Sequence, residues 1–308
     1  MTKRLISCTA SDLAAMDKPH LLEAIAASEG RVLACECIGI TPPLLTDVTN
    51  AEFAAAMGAD LLLLNMFDVW NPNILALPKT APEDTVRRVK ALTGRLIGIN
   101  LEPVDDALAA DNADTLWAMS RGRYATVENA VRAADMGVDL IVLTGNPGNG
   151  VSNEAIVKSL QAISRAVGDR IALAAGKMHA AGVVGEGGEH ILTREDVRAF
   201  AKAGADIILL PAPGTVPGIT TEYVRGLVSE AHSLGKLTIT SIGTSQEGAD
   251  PDTIRRIALL CKMAGADIHH IGDTGVPGMA LPHNILAYSI AIRGERHTFR
   301  RMACSVNR

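Results

Sequence analysis

Two glutamates in this chain are placed as a carboxylate pair would be for metal binding or for acid–base catalysis. Glu36 lies near the end of the apolar run 31–37, and Glu102 directly follows the apolar run 95–101. Side chains alternate between the two faces of a strand, so both glutamates are expected opposite the larger apolar side chains. Two neighbouring carboxylates can bind a divalent cation such as Mg²⁺ or divide the roles of acid and base. The alternative interpretation is a pair of buried acids that Arg or Lys neutralises.

Polar amides accompany the glutamates. Asn100 comes two residues before Glu102 and is predicted to share its face, and Asn65 lies near the end of the run 60–66. We predict that both amides belong to the catalytic site, although Asn is also an ordinary turn residue. Further plausible polar side chains follow two of the strands: Asp68, Thr144 and Asn146.

A lysine and a histidine follow another apolar run. Lys177 comes directly after the run 170–176, which ends in small residues, and His179 is two residues further on. A Lys at a strand end can serve as a Schiff-base amine, a general acid or a cation that pairs with a substrate anion. His179 is a candidate proton carrier. The alternative is a surface Lys and a solvated loop His.

Two turns late in the chain are rich in Gly, Ser and Thr, and each precedes a helical pattern. Backbone N–H groups and a helix N-terminus can converge on a phosphate in such turns, and small residues let the backbone approach its oxygens. Asp273 lies in the second turn, and its carboxylate must point away from a phosphate or bind a metal. The alternative is two tight turns without a ligand. The predicted phosphate-binding residues are Gly243, Thr244, Ser245, Gly272, Thr274 and Gly275.

A histidine pair occupies the last predicted strand. Because His269 and His270 are adjacent, one ring should point inward and the other toward the helices. The pair has no carboxylate at metal-ligand spacing, so we interpret both as buried, hydrogen-bonded histidines rather than as metal ligands.

A fourfold repeat predicts the scaffold that positions these residues. The repeat is Gly, a small apolar residue and Asp, followed by an apolar run, and it begins at Gly58, Gly137, Gly204 and Gly265. The Gly ends a helix, and the run has the length of a buried strand. Four more runs, each introduced by a charged residue, alternate with these. The eight predicted strands are 31–37, 60–66, 95–101, 139–145, 170–176, 206–211, 236–242 and 267–272.

Helical patterns fill the gaps between the strands. Eight β–α units predict an α/β fold, a (βα)8 TIM barrel with short N-terminal helices before strand 1. A doubly wound open sheet is the alternative, but it normally carries a Gly-rich dinucleotide turn after its first strand, which residues 39–43 do not supply. Three long connections, 67–82, 102–124 and 177–192, would all lie on the C-terminal face of a barrel, where barrel enzymes have their active sites.

The whole chain, 1–308, is predicted to form one barrel domain without a linker. Its first part, 1–30, is an N-terminal helical segment, in which residues 9–30 are expected to form one or two short helices that plug the floor of the barrel. Its last part, 293–308, is interpreted as a basic tail that is solvated or contacts another subunit. The arginines of that tail are Arg293, Arg296, Arg300, Arg301 and Arg308.

Composition narrows the function classes. The chain has 308 residues, 48% of them hydrophobic, and a net charge of -5. This acidic balance argues against nucleic-acid and anionic-membrane partners, and no run approaches the length that spans a bilayer. Five cysteines without a Cys-x-x-Cys pair suit reduced thiols, so we expect a cytoplasmic protein.

Three segments resemble a group of bacterial barrel proteins. They are Asp-Val-Thr-Asn-Ala-Glu at 47–52, Gly-Ala-Asp at 58–60 with Leu64 and Asn65, and Gly-Asp-Thr-Gly at 272–275. The group is labelled as phosphoenolpyruvate phosphonomutase-like or as haloacid dehalogenase-like hydrolase. Phosphonomutases and their isocitrate-lyase relatives use a barrel, Mg²⁺ and acidic strand ends. The resemblance therefore implies Mg²⁺ as a candidate cofactor, with Glu36 and Glu102 as analogues of those acids.

The sequence predicts an enzyme acting on a small phosphorylated metabolite by lyase, aldolase or isomerase chemistry. A Mg²⁺-dependent phosphonomutase-like or oxo-acid lyase-like enzyme with an unphosphorylated substrate is the second hypothesis. A non-catalytic scaffold barrel is the third. A homo-oligomer is compatible with each of them.

Overall fold

Eight parallel strands close into a barrel in the order of the sequence. A computed structural model describes residues 2–104, 119–145, 151–180 and 184–308. Each strand pairs with the next, and the last pairs with the first. The ring has no free edge, so the predicted (βα)8 barrel is confirmed and the open-sheet alternative is excluded. The strands are β1 (Val32–Ile38), β2 (Leu61–Asn65), β3 (Leu96–Leu101), β4 (Leu140–Leu143), β5 (Ala172–Gly176), β6 (Ile207–Pro211), β7 (Leu237–Ile242) and β8 (Ile268–Ile271).

Helices alternate with the strands and begin at residues that cap them. The side chains of Thr49 and Thr193 each accept a hydrogen bond from the backbone N–H three residues later in the chain. The acidic side chain at that later position, Glu52 or Asp196, accepts from the backbone N–H of the Thr. These bonds satisfy N–H groups that a helix start leaves unpaired. None of the described helices is long and apolar enough to cross a bilayer. The helices are α1 (Ala10–Ala14), α2 (Lys18–Ala26), α3 (Asn50–Ala56), α4 (Thr85–Thr93), α5 (Val127–Met136), α6 (Asn153–Val167), α7 (Arg194–Ala203), α8 (Thr221–Ser233), α9 (Pro251–Ala264) and α10 (Pro282–Ala303).

The Asp of the fourfold repeat ties neighbouring strands together. Each of these aspartates precedes an even-numbered strand and accepts a hydrogen bond from the second residue of the preceding odd-numbered strand. A backbone N–H near a strand start needs an acceptor when it is buried, and the carboxylate supplies it. The four bonds, all 2.8 to 2.9 Å long, join Asp60 to Leu33, Asp139 to Ile97, Asp206 to Leu173, and Asp267 to Thr238.

Strand alternation separates two apolar layers. Leu33 and Cys35 of β1 point outward into the layer between barrel and helices, whereas Val32 and Ala34 point into the barrel. At the floor, Leu5 and the residues of α2 pack against this inner layer. The short N-terminal helices predicted before β1 are therefore present, and they pack against the inner layer at this end of the barrel.

The interpretation of 293–308 as a solvated tail is wrong for two of its arginines. Helix α10 continues through a kink at Gly294 to Ala303. Arg293 Nη1 lies 2.5 Å from Asp60 Oδ2, and Arg301 Nε lies 2.7 Å from Asp60 Oδ1, with all three side chains buried. Burial alone would raise the pKa of Asp60, but the two guanidinium groups outweigh it and hold that pKa below its usual value. The charge pattern gave no sign that one buried acid pairs with these arginines.

We predict that Asp60→Asn destabilises the protein by about 3–5 kcal/mol, because it leaves two buried guanidinium groups without their counter-ion. Urea denaturation at pH 7 measures the effect. The exposed pair of Asp252 and Arg255 provides the control, since Asp252→Asn should cost no more than about 0.5 kcal/mol.

The same pair of variants has an expected pH dependence. A carboxylate whose folded pKa is lowered stabilises the fold above its ordinary value, here 3.8, and loses that contribution as the pH falls through the lower folded value. The gap between wild type and Asp60→Asn should therefore narrow below pH 3.8. A gap that stays constant would contradict the assigned ion pairs.

Candidate active site

A cavity of about 470 Å³ opens at the carboxyl ends of the strands. Active sites of (βα)8 barrels lie at this end. Seven of the twelve predicted catalytic and phosphate-binding residues line it: Glu36, Asn65, Asn100, Glu102, His179, Gly243 and Gly272. The other predicted site residues, Lys177, Thr244, Ser245, Thr274 and Gly275, are not in its lining.

A chain of hydrogen bonds links polar side chains of the cavity lining. The Asn100 amide donates to Glu36 Oε1 over 2.7 Å and to Asn65 Oδ1 over 3.2 Å. Asn65 in turn donates to Asp273 Oδ2 over 2.8 Å, and Asp273 Oδ1 accepts from the Gly275 N–H. The three strand ends β1, β2 and β3 and the turn after β8 thereby hold Glu36 and Asp273 in fixed positions.

Glu36 also lies against a neutral histidine. His270 Nε2 is 3.6 Å from Glu36 Oε2, and His270 Nδ1 is 2.5 Å from Ser241 Oγ. Burial lowers the pKa of His270 to about 4, so its ring is neutral at pH 7. His269 points the other way, toward the Gly30 carbonyl and Tyr288. The predicted inward and outward placement of the two rings is confirmed.

The cavity opposes the ionisation of two of its carboxyl groups. Burial, followed by the charge of Asp273, raises the pKa of Glu36 well above its usual value, despite the hydrogen bond from Asn100. Burial likewise raises the pKa of Glu247, with a smaller contribution from Asp273. A carboxyl group with a raised pKa can hold a proton near neutral pH and exchange it with a bound molecule.

Glu102 has a different environment, because it forms an ion pair with Arg123. Arg123 is anchored beside it, since its carbonyl accepts from the Glu102 N–H over 2.8 Å. Within the described ranges, no three His, Cys, Asp or Glu side chains converge as a metal site. With Glu102 already neutralised, the donors do not fit a cation held between Glu36 and Glu102.

Several donors of the predicted phosphate site are engaged within the protein. Thr244 Oγ1 donates to the Thr215 carbonyl or to Gln246, and Thr274 Oγ1 to the Asp273 or Met279 carbonyl. The Gly275 N–H is occupied by Asp273, and the Gly272 N–H by the Ile242 carbonyl. Two carboxylates, Glu247 and Asp273, lie in these same turns. The geometry therefore gives an anion here less support than the composition suggested.

Lys177 and His179 differ in their access to the cavity. Lys177 is 2% exposed and is not part of the cavity lining, whereas Met178 and His179 line the cavity. Burial, and secondly the Lys177 charge, lower the pKa of His179. His179 is therefore an uncharged ring on the cavity wall at pH 7.

Sequence reasoning did not assign Arg123, Ser241 or Glu247 to the site. Ser241 had a readable signal, since it shares the inward face of β7 with Ile239. Arg123 had none, because it reaches the site through the far end of a long loop. Of the further polar residues suggested by the sequence, Thr144 lines the cavity. Asp68 instead accepts hydrogen bonds from the backbone N–H groups of Trp70 and Asn71 in a turn. Asn146 lies outside the described residues.

The family model described as a domain of unknown function, DUF7916, matches residues 6–308. The chain belongs to this family. No curated protein matches the sequence.

Solved structures resemble this DUF7916 barrel at low identity. A barrel from Coccidioides immitis, provisionally assigned as a fructose-1,6-biphosphate aldolase, is 15% identical with a TM-score of 0.53, over 94% of this chain and 99% of that chain. A 2,3-dimethylmalate lyase of the PEP mutase/isocitrate lyase superfamily is 13% identical with a TM-score of 0.50, over 86% and 80%. These likenesses show the fold alone. One of these two barrels belongs to the PEP mutase/isocitrate lyase superfamily, and the comparisons do not support the haloacid dehalogenase part of the resemblance.

We predict that Glu36→Gln stabilises this DUF7916 protein by about 0.5–2 kcal/mol at pH 8, as removal of strain at a site often does. The fold raises the pKa of Glu36 above 4.5, so the wild type loses stability as the pH rises from 4.5 toward the folded value, and Gln does not. Thermal denaturation at pH 4.5 and pH 8 measures the difference.

The control is Glu128→Gln on the exposed side of α5, with an expected change below about 0.5 kcal/mol at both pH values. A Glu36→Gln advantage that is equal at pH 4.5 and pH 8 would show that burial does not oppose ionisation of Glu36.

Proposed function

We propose that this protein is an enzyme of the lyase or isomerase class that acts on a small, unphosphorylated carboxylate by proton transfer through Glu36. The observation that carries the proposal is the state of Glu36. It is a buried acid, 6% exposed, with a raised pKa, and it lines an open cavity at the catalytic end of a barrel.

The surroundings of Glu36 suit a group that gains and loses a proton. Asn100 fixes Oε1 by its amide hydrogen bond, which leaves Oε2 on the side of His270. In one neutral tautomer of His270, Nε2 carries the proton and faces the Glu36 carboxylate, while Nδ1 accepts from the Ser241 hydroxyl. In the other tautomer, Nε2 has no proton and can accept from the protonated Glu36 acid. Both protonation states of Glu36 thus have a compatible neighbour, without a new buried charge on the histidine.

Arg123 supports a carboxylate-bearing substrate. It is the Arg in the cavity lining, and a guanidinium group presents donors that match a carboxylate. The phosphorylated substrate that the late turns suggested is less well supported, because a phosphate there would meet Glu247 and Asp273. No step in this proposal depends on Mg²⁺.

The type of chemistry is compatible with barrels of this shape. The 2,3-dimethylmalate lyase is named for a reaction on a small unphosphorylated carboxylate, and we extend that class to this chain as part of the proposal. The barrel provisionally assigned as an aldolase is named for a phosphorylated sugar and does not support this choice. A scaffold role has no comparable support, since a protein that only binds partners does not need a buried acid such as Glu36, whose pKa is raised by its surroundings.

Proton transfer can be tested before the substrate is known. In D₂O, ionised Glu36 should take a proton from the carbon next to the carbonyl of a small 2-oxo carboxylate and return a deuteron. Proton NMR of a panel such as 2-oxobutyrate and 2-oxoglutarate follows the exchange above the uncatalysed rate. We predict that Glu36→Gln lowers the rate by about 10²–10⁴-fold, whereas the exposed Glu128→Gln leaves it unchanged.

The exchange rate should rise with pH through a pKa well above the ordinary 4.5 of Glu, since only the ionised form accepts the proton. Parallel samples with EDTA and with Mg²⁺ measure any metal dependence. Exchange that survives in Glu36→Gln would contradict the role of Glu36. Melting temperatures raised only by phosphosugars or phosphoenolpyruvate would favour the phosphorylated substrate instead.

A further inference from the structure

Three residues of the cavity lining carry a buried side-chain atom without a hydrogen-bond partner among the described residues. The atoms are Arg123 Nε, Thr144 Oγ1 and Glu247 Oε2. The residues are 8%, 5% and 8% exposed. A buried polar group without a partner costs free energy, so native proteins rarely leave one unpaired. Three of the eight such atoms in the described residues belong to this one cavity lining, and their grouping points to a molecule that pairs them when it binds.

Polar groups of the cavity lining are sorted by type across the barrel, and the three unpaired atoms are among them. Arg123 is anchored beside the end of β3, and Thr144 follows β4, so N–H and O–H donors lie on one side. Glu247 follows β7 and Asp273 follows β8, so carboxylate acceptors lie on the other. In a closed ring of eight strands, β3 and β4 face β7 and β8. We call these the donor wall (Arg123, Thr144) and the acceptor wall (Glu247, Asp273).

The two walls also differ in charge. On the donor wall, Glu102 already balances Arg123, so what this wall offers is hydrogen-bond donation to an anionic oxygen. On the acceptor wall, no Lys or Arg of the described chain forms an ion pair with Glu247 or Asp273. Asn65 and the Gly275 N–H orient Asp273 but bring no positive charge. A ligand hydroxyl could pair Glu247 Oε2, but a cationic group would in addition favour the ionised form of this carboxyl, which burial and Asp273 oppose.

We infer that the substrate is an amino carboxylate whose carboxylate binds the donor wall and whose ammonium group binds the acceptor wall. This inference rests on the proposed function for the reaction at Glu36, which lies at the end of β1 between the two walls. An α-amino acid does not suit the site, because its two charged groups share one carbon. A sphere of 470 Å³ is about 10 Å across, a size that matches a chain of a few carbons between the charges.

The experiment is calorimetric titration of the full chain at pH 7.5 with matched pairs of ligands. The pairs are 4-aminobutyrate with butyrate, 5-aminovalerate with valerate, and 6-aminohexanoate with hexanoate. Two further ligands serve as comparisons. Glycine has a single carbon between its ammonium and carboxylate groups, and pentylamine has no carboxylate. We predict that at least one amino carboxylate binds about tenfold or more tightly than its amine-free partner, than glycine and than pentylamine, which is about 1.4 kcal/mol.

Variants assign the two ends of the ligand. Glu247→Gln should remove most of the preference for the amino ligand and leave the affinity for its amine-free partner within about twofold. Thr144→Val should weaken both members of a pair, and Glu128→Gln should weaken neither. If Glu247→Gln does not fold, as judged by its melting temperature, Asp273→Asn tests the same wall.

Equal binding of the amino and amine-free ligands at all three chain lengths would overturn the inference, and so would an equal loss of both in Glu247→Gln. The result is separable from the proposed function, because binding is measured without turnover. Glu36→Gln should still prefer the amino ligand while losing proton exchange. If the wild type prefers the amino ligand but does not catalyse proton exchange, only the proton-transfer role is rejected. If it catalyses exchange but does not prefer the amino ligand, only the amino carboxylate is rejected.

Discussion

The closed ring of parallel strands is the constraint on which the rest of the structure depends. Once the ring closes, a strand has one face inside the barrel and one against the helices, and the carboxyl ends of all strands meet at one mouth. A shift of one residue changes the fate of a side chain. Lys177, directly after β5, is buried and is not part of the cavity lining, whereas the next residue, Met178, lines the cavity.

The same ring gives two buried carboxylates opposite properties. Asp60 lies near the start of β2 at the floor, where Arg293 and Arg301 hold its pKa below the usual value. Glu36 lies near the end of β1 at the mouth, where burial and the acid Asp273 raise its pKa. The first acid helps to fasten helix α10 to the barrel. The second is kept difficult to ionise, which costs stability and leaves it suited to exchange a proton.

The mouth is polar and uneven rather than uniformly charged. Its β3–β4 side presents Arg123 and Thr144, and its β7–β8 side presents Glu247 and Asp273. Two such sides facing each other across the barrel can orient a small molecule whose two ends differ in charge. Glu36, which lies between the two sides, can then act on the middle of that molecule. Orientation of this kind comes from rigid strand ends rather than from any one residue, because the amides of Asn65 and Asn100 link three of those ends.

The sequence by itself determined the architecture. The four copies of the Gly-x-Asp repeat and the four apolar runs between them predicted eight alternating strands, because each Gly ends a helix and each run has the length of a buried strand. Alternation along β1 and β3 was enough to place Glu36, Asn100 and Glu102 inward, since period-two geometry is local. Tertiary structure alone decided which charges pair. Arg123 meets Glu102, and Arg301 meets Asp60, across long stretches of chain. Burial in the assembled barrel, which no local pattern encodes, set the direction of each pKa shift.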